Sequence, residues 1–291
     1  AADQPAITHA LRGKMRIELV VIRRGGDVHA GDFAGVVLDP ARELARIIAS
    51  LHGPRNRIAV PGFHDDVRVL NPAERAYMRK VGPRDTELIA AAQSEPLVHD
   101  ARRSLYELST TEPSLSITEL TAGDFREKKS AIPTSARALL DIRLVPDQQP
   151  AMIARCLERH VKGIAPRGAH VALRVLTASR ALSIAPTHPA LQAGARAAAR
   201  TFGRAPVFLR SGGTIPIATD FQSHGITPVL MGFALSDDGM HAPNEHFSID
   251  RFLHAIECSI RFLAEAGHST PPLHVRPTRL AHVDMQTGIH V

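Results

Sequence analysis

Apolar and polar residues alternate along several short stretches in the first half of the chain. Alternation places every second side chain on the same face of a strand. Other stretches carry apolar residues at helical spacing, and Asp39 followed by Pro40 suits a helix N-terminus. The pattern predicts, in chain order, strand 14–22, a helix from Pro40 to the stop at Gly53, strand 57–60, helical fragments near 72–81 and 84–93, strands 114–121 and 136–145, helix 149–163 and strand 169–177.

The order of these elements predicts the fold class of the first half. A β-α-β-β-α-β series over 14–179 is typical of a ferredoxin-like α+β sandwich, with helices on one face of an antiparallel sheet. The polar stretch 63–112 holds few strong signals and is interpreted as an insertion.

From residue 180 the pattern changes to that of an α/β layer. The predicted elements are helix 188–201, strand 206–209, helix 217–223, strand 227–233 and helix 248–266. Two strands are too few for a stable sheet, so this layer is expected to be part of a larger domain. Residues 268–291 lack periodicity and are predicted to be a flexible tail.

Composition removes several classes of protein from consideration. The 291 residues include 44% hydrophobic and 22% charged residues, which permits a buried core. The net charge of +6 is mild, and 4% aromatic residues are few for a single-stranded nucleic-acid binder, so no nucleic-acid partner is expected. No run of 18 apolar residues and no signal-peptide core occurs, so we expect a cytoplasmic protein without a membrane partner. Cys156 and Cys258 lie too far apart to indicate a cysteine zinc site.

Two histidines are candidates for chemistry. His241 follows strand 227–233, and the carboxyl end of a strand is where open α/β sheets bind ligands. With carboxylates nearby its imidazole could bind a metal, or it could be a surface histidine in a polar loop, which is the commoner case for a single histidine. His29 lies in a glycine-rich stretch, where it could hydrogen-bond an oxyanion or be incidental to a bulge.

Candidates for binding an anion lie on both sides of residue 180. Gly212, Gly213 and Thr214 sit between a strand and a helix, where backbone amides attract anions and the threonine hydroxyl could donate. The alternative is a strand-to-helix turn with a threonine N-cap. Arg143 on strand 136–145 could hold a carboxylate in a bidentate manner, or form a surface pair with Asp141.

Five motifs stand out when the chain is taken in order: ALRGK (10–14), GGDVHAGDFAG with a following DP (25–40), SAIPTSARALLDIRLVPDQQP (130–150), RSGGTIPI (210–217) and DDGMHAPNE (237–245). Together they resemble the M20 metallopeptidases, and most closely the carnosinase-like dipeptidases and related amidohydrolases. The resemblance extends over about residues 1–268.

The resemblance implies an α/β catalytic domain with two zinc ions and an inserted lid that forms a homodimer. Residues 1–13 and 180–267 would be part of the catalytic domain, and 14–179 the lid. By position, His241 corresponds to a metal ligand and His29 to the lid histidine that reaches the partner's active site. Binding of a peptide or N-acyl amino-acid substrate falls to Ser130, Arg143, Thr214, Gly212 and Gly213.

Departures from the family pattern set the expected activity. Ala30 and Ala34 replace a usual serine and glycine, and Ser211 stands where a glutamate is usual. The resemblance places the other metal ligands and the general base before the LRG motif, where this sequence begins. We therefore expect a truncated chain that is inactive alone. The alternative is a non-catalytic dimerisation module.

Overall fold

The computed structural model describes residues 4–95, 102–123, 130–235 and 237–269. The strands are β1 (Ala6–Leu11), β2 (Gly13–Arg23), β3 (Val28–His29), β4 (Ser114–Ala122), β5 (Ala131–Ile132), β6 (Ser135–Leu144), β7 (Ala169–Ser179), β8 (Leu182–Ser183), β9 (Val207–Ser211) and β10 (Leu230–Gly232). The helices are α1 (Ala30–Phe33), α2 (Pro40–Ser50), α3 (Pro72–Val81), α4 (Asp85–Ala92), α5 (Leu105–Thr111), α6 (Pro150–Ile164), α7 (Pro189–Phe202), α8 (Pro216–Ser223) and α9 (Ile249–Ser269). The first two residues of the predicted tail, 268 and 269, are part of α9, and the rest of the tail lies outside the described residues.

The larger sheet, which contains the four longest strands, confirms the predicted mixed α/β class and its ferredoxin-like part. Its strand order is β4-β6-β2-β7, and all neighbours are antiparallel. Helices α2 and α6 cover one face, because the inward residues of β2 and β6 pack with the apolar stripes of both helices in two core clusters. Asp39 caps α2 as expected, since its Oδ1 accepts the backbone N–H of Ala41 at 2.9 Å.

The second sheet corrects the prediction of a two-stranded layer. Strand β1, missing from the sequence-based prediction, lies at its centre and pairs antiparallel with β10 and β8 and parallel with β9. Its alternation is masked because His9 is a polar residue at a buried position. A single residue, Arg12, connects β1 to β2 and thereby joins the two sheets.

The stretch 63–112 contributes helices that pack on the second sheet. Helices α3 and α4 match the two predicted fragments, whereas α5 was not predicted. The hydroxyls of Tyr77 and Tyr106 accept the backbone N–H groups of Phe208 and Arg210, both at 2.8 Å. These helices therefore cover the outer edge of β9, which would otherwise expose unpaired amides.

Two predicted strands differ from the structure. Strand 57–60 was wrong, because only an isolated bridge between His52 and Ile58 forms there. The strand expected over 227–233 is shortened to β10, residues 230–232. Ile58 pairs only with His52, and beyond Thr8 strand β1 pairs with β8 rather than with the residues before Leu230. Periodicity alone does not report which partner a segment finds.

Candidate functional site

An arginine and a threonine from distant parts of the chain meet where the two sheets adjoin. Arg143, on β6, donates from Nη1 to Thr214 Oγ1 at 3.1 Å and from Nε to Asp141 Oδ1 at 3.1 Å. Its Nη2 forms no hydrogen bond with any of the described residues, and its side chain is 27% exposed. The guanidinium is thus held on two nitrogens and open to a ligand on the third.

Arg12 forms hydrogen bonds with the turn that carries Thr214. Its backbone N–H donates to Ser211 O at 3.3 Å, and its Nε donates to Gly212 O at 3.1 Å. Its own carbonyl accepts the Thr214 hydroxyl at 2.7 Å. Burial, and then the positive charge of Arg143, lower the pKa of Arg12 to about 10, so the guanidinium stays protonated at neutral pH.

The two glycines of the turn are used in different ways. A Cβ at Gly212 would lie 2.7 Å from the backbone oxygen of Ser109 at the end of α5, so no side chain fits there. The N–H of Gly213 donates to Ser211 Oγ at 3.1 Å and is therefore not open to an anion in this structure. Helix α8 begins after Ile215, which makes no side-chain cap, so Thr214 is not its N-cap.

The surroundings of Arg143 carry more positive than negative charge. Asp141 accepts from Arg143 and also lies 3.2 Å from Lys14 Nζ through its other oxygen. Arg12 adds a third cation, and its pKa responds to both Arg143 and Asp141. Three positive charges against one carboxylate favour an anionic ligand at this point.

His29 and Ser130 are neighbours in a small separate ladder. Strands β3 and β5 pair His29 with Ala131, and the N–H of Ala30 donates to Ser130 O at 2.9 Å. The His29 side chain is 64% exposed, and its Nδ1 lies 3.5 Å from Asp32 Oδ2. The imidazole therefore projects into solvent from a short rigid support.

His241 lies in the exposed loop between β10 and α9, with a left-handed φ of 62°. Three residues earlier, buried Asp238 accepts both Nη1 and Nη2 of Arg251 at 2.6 Å. Those bonds, chiefly, hold the pKa of Asp238 at about 2. The loop is thus fastened to α9 beside the histidine.

The structure brings together some of the predicted site residues but not all. Arg143 contacts Thr214, next to Gly212 and Gly213, while His29 adjoins Ser130. Within the described ranges, no hydrogen bond or ion pair links His29 or His241 to Arg143. In those ranges there is also no group of three or more His, Cys, Asp or Glu side chains that could hold a metal ion.

Sequence reasoning missed the roles of Arg12, Tyr106 and Asp238. Arg12 was visible only as the middle of the LRG motif. Its contacts depend on residues 200 and 202 positions away, which no local pattern reports. The pairing of Arg143 with Asp141 was foreseen from their shared strand face, and the structure contains it together with the contact to Thr214.

Comparison with known proteins adds a family match. Residues 9–169 match the profile of the M20 peptidase dimerisation domain. The chain is 26% identical over 274 residues to the Cys-Gly metallodipeptidase of Schizosaccharomyces pombe, covering 92% of this chain and 57% of that protein. It is 29% identical over 269 residues to the human Beta-Ala-His dipeptidase, covering 90% of this chain and 53% of that protein.

A solved structure gives a similar result. The M20 family metallo-carboxypeptidase Sso-CP2 of Sulfolobus solfataricus superposes with a TM-score of 0.79 at 28% identity, covering 89% of this chain and 60% of that one. The chain thus spans about half the length of the curated relatives it matches. No helix among the described residues is long and apolar enough to cross a membrane.

Proposed function

The chain belongs to the M20 peptidase family, and from that premise we propose that it is part of a metal-dependent hydrolase that cleaves a dipeptide or an N-acyl amide bond. The observation that carries this proposal is the Arg143 guanidinium, held by Asp141 and Thr214 and open on Nη2. A carboxylate at the end of a small peptide-like substrate matches this charge and geometry. Both a dipeptide and an N-acyl amino acid carry such a carboxylate.

The two sheets support a division of the chain into a lid and a catalytic part. We assign residues 14–179 to the lid and residues 1–13 and 180–267 to the catalytic part. Helices α3 and α5 lie within the sequence range of the lid but pack on β9, which is a strand of the catalytic part. Arg143 and Thr214 come from opposite sides of this division, so a ligand bound there would touch both parts. A substrate site at such a junction is typical of enzymes with two domains.

His29 is assigned the role of donor to the substrate carbonyl. Its exposed imidazole stands on the β3–β5 ladder, apart from Arg143, which supports a role at the site of a second subunit rather than its own. A donor directed at a developing oxyanion stabilises the transition state of amide cleavage. This assignment requires a homodimer formed through the lid.

The metal centre requires ligands beyond those described. The relatives include metallodipeptidases, and His241 is our candidate ligand, but it is not part of a group of three or more ligating side chains among the described residues. The donor set of the described ranges does not fit a metal ion, and zinc sites need three or four ligands. We therefore propose that the chain alone is inactive. The further ligands would come from outside the described residues.

Exposed apolar side chains on α9 support the proposal that further protein packs against the catalytic part. Phe252, Ile256, Ile260 and Leu263 recur at helical spacing and are between 44% and 69% exposed. A stripe of this kind on one helix normally packs against further protein.

One observation favours a second candidate, a non-catalytic dimerisation module. The family match, over residues 9–169, is to the dimerisation domain. A module of this kind would dimerise without binding dipeptides. Sedimentation velocity of the full chain tests the dimer that both candidates require, and a monomer at tens of micromolar would contradict both.

A cytoplasmic location stays a prediction, for cell fractionation to test.

The decisive experiment compares a ligand that has a free carboxylate with one that lacks it. NMR titration of the chain with β-Ala-His and with its C-terminal carboxamide should show tighter binding of the carboxylate. Arg143→Met should abolish this preference. Arg137→Met is the matched control, because Arg137 lies on the same face of β6 but pairs with Glu18 and Glu119. Equal binding of the two ligands by the wild-type chain would refute the carboxylate site.

A second measurement tests the metal requirement. We expect well below one zinc per chain after dialysis and no hydrolysis of β-Ala-His or Cys-Gly. Near-stoichiometric zinc with turnover would contradict the proposed inactivity and would leave the hydrolase proposal standing.

A further inference from the structure

The Thr214 hydroxyl lies between a backbone carbonyl and a guanidinium. A carbonyl oxygen can only accept and a guanidinium can only donate, so the direction of both hydrogen bonds is fixed. The hydroxyl donates its single hydrogen to Arg12 O at 2.7 Å, and its oxygen accepts from Arg143 Nη1 at 3.1 Å. No hydrogen remains for a ligand, which differs from the expectation that Thr214 donates to the substrate.

The turn that carries Thr214 is held from two sides. Arg12 bonds the carbonyls of Ser211 and Gly212 on one side. On the other side, the backbone oxygen of Ser109 lies so close to Gly212 that a Cβ would approach it to 2.7 Å. The position of the Thr214 hydroxyl is therefore set by the backbone and side chain of Arg12 and by the close approach of Gly212 to Ser109.

Arg143 is oriented by two fixed acceptors. Asp141 Oδ1 holds Nε and Thr214 Oγ1 holds Nη1, each at 3.1 Å. The bonds of Nε and Nη1 fix the plane and rotation of the guanidinium, and the direction in which Nη2 can donate to a carboxylate follows from that orientation.

We propose that Thr214, with its hydrogen directed at the Arg12 carbonyl, is a positioning residue that sets the orientation of Arg143 for a carboxylate ligand. The relay consists of the Arg12 carbonyl, the Thr214 hydroxyl and the Arg143 guanidinium. The identity of the ligand rests on the proposed function, whereas the relay itself is a property of the ligand-free chain.

A double-mutant cycle on the ligand-free chain tests the relay. Thr214→Val and Arg143→Met are made singly and together, and the unfolding equilibrium constant is measured in urea. If the relay exists, the effect of Thr214→Val is about five-fold smaller in the Arg143→Met background, because the bond between the two side chains is already lost. Additive effects would overturn the relay.

Ligand discrimination tests what the relay is for. The ratio of the dissociation constants of β-Ala-His carboxamide and β-Ala-His is measured for each folded variant. Thr214→Ser keeps the hydroxyl and should keep the ratio, whereas Thr214→Val should lower it about ten-fold. Thr219→Val is the matched control, since the Thr219 hydroxyl also donates to a backbone carbonyl at 2.7 Å but forms no hydrogen bond with an arginine among the described residues. Thr214→Ala replaces the valine variant if that protein does not fold.

The outcomes separate the two proposals. If the wild-type chain prefers the carboxylate and Thr214→Val keeps the full preference, Thr214 does not position Arg143. If the wild-type chain shows no preference, the proposed carboxylate site fails, and the purpose of the relay fails with it. In that case the cycle still decides whether the Thr214 and Arg143 side chains are coupled.

Discussion

Removing one hydroxyl group from Tyr106 should destabilise the chain measurably. The hydroxyl accepts the N–H of Arg210 at 2.8 Å and donates to the carbonyl of the same residue at 2.9 Å. Tyr106 is 6% exposed, so water cannot replace the hydroxyl in Tyr106→Phe without rearrangement. A backbone donor and a backbone acceptor at the edge of β9 then lose their partner.

The expected loss follows from the burial of these groups. An unpaired buried donor or acceptor costs about 1–3 kcal/mol. Arg210 is half-buried, so we expect about 2 kcal/mol for the pair in Tyr106→Phe. Tyr77→Phe is the matched control. Its hydroxyl accepts the N–H of Phe208 at 2.8 Å, but Tyr77 is 41% exposed and water can take its place, so we expect about 0.5 kcal/mol.

Urea unfolding measures both variants. A lower midpoint at an unchanged slope reports lost stability without a change in the exposed surface. Hydrogen exchange of the Arg210 amide should accelerate in Tyr106→Phe and stay near the wild-type rate in Tyr77→Phe. Equal losses in the two variants would refute the reasoning that burial decides the magnitude.

Tyr106 should also make the stability of the chain fall at alkaline pH. Burial raises the pKa of Tyr106 above the usual value of about 10 for tyrosine. A raised folded-state pKa gives stability that is complete below about pH 10 and is lost as the pH rises through the folded-state value. Tyr106→Phe should therefore lack this part of the alkaline loss.

Three further predictions concern other parts of the fold. Gly212→Ala should cost about 1–3 kcal/mol in urea unfolding because its Cβ meets a backbone oxygen; Gly213→Ala, which meets only the flexible Ser211 side chain, should cost less, and the reverse order would contradict the steric argument. Asp238→Asn should flatten the fall in melting temperature from about pH 4 to pH 2, since a pKa lowered to about 2 gives stability that is present above the unfolded value and lost in this window; an unchanged acid profile would rule this out. Leu157→Ala in the core of the larger sheet should cost about 2–5 kcal/mol, and a similar cost for the half-exposed Met152→Ala on the same helix would count against the assigned core.

Local pattern predicted most of the elements because burial repeats with the period of the element. Residues on β2, β6 and α6 alternate or recur in the sequence as they do in the folded chain. The Asp39 cap was predictable for the same reason, since the side chain and the amides it accepts lie within three residues.

Strand β1, at the centre of the second sheet, could not be predicted from local pattern because its contacts are distant in sequence. Strand β1 carries a buried histidine whose Nδ1 bonds the carbonyl of Ile184, which is 175 positions away. A polar residue at a buried position interrupts the apolar alternation, so the pattern around it does not predict a strand. Helix α5 is short, and its buried residues Tyr106 and Glu107 make their contacts with β9 and α3.

The sequence by itself determined the family, the mixed α/β class and the residue types that suit a carboxylate ligand. Only the tertiary structure decided that Thr214 faces a carbonyl and an arginine at once. Those partners lie 202 and 71 positions away. The direction of a hydrogen bond depends on which groups surround the hydroxyl in space, and that arrangement exists only after the two sheets have come together around Arg12.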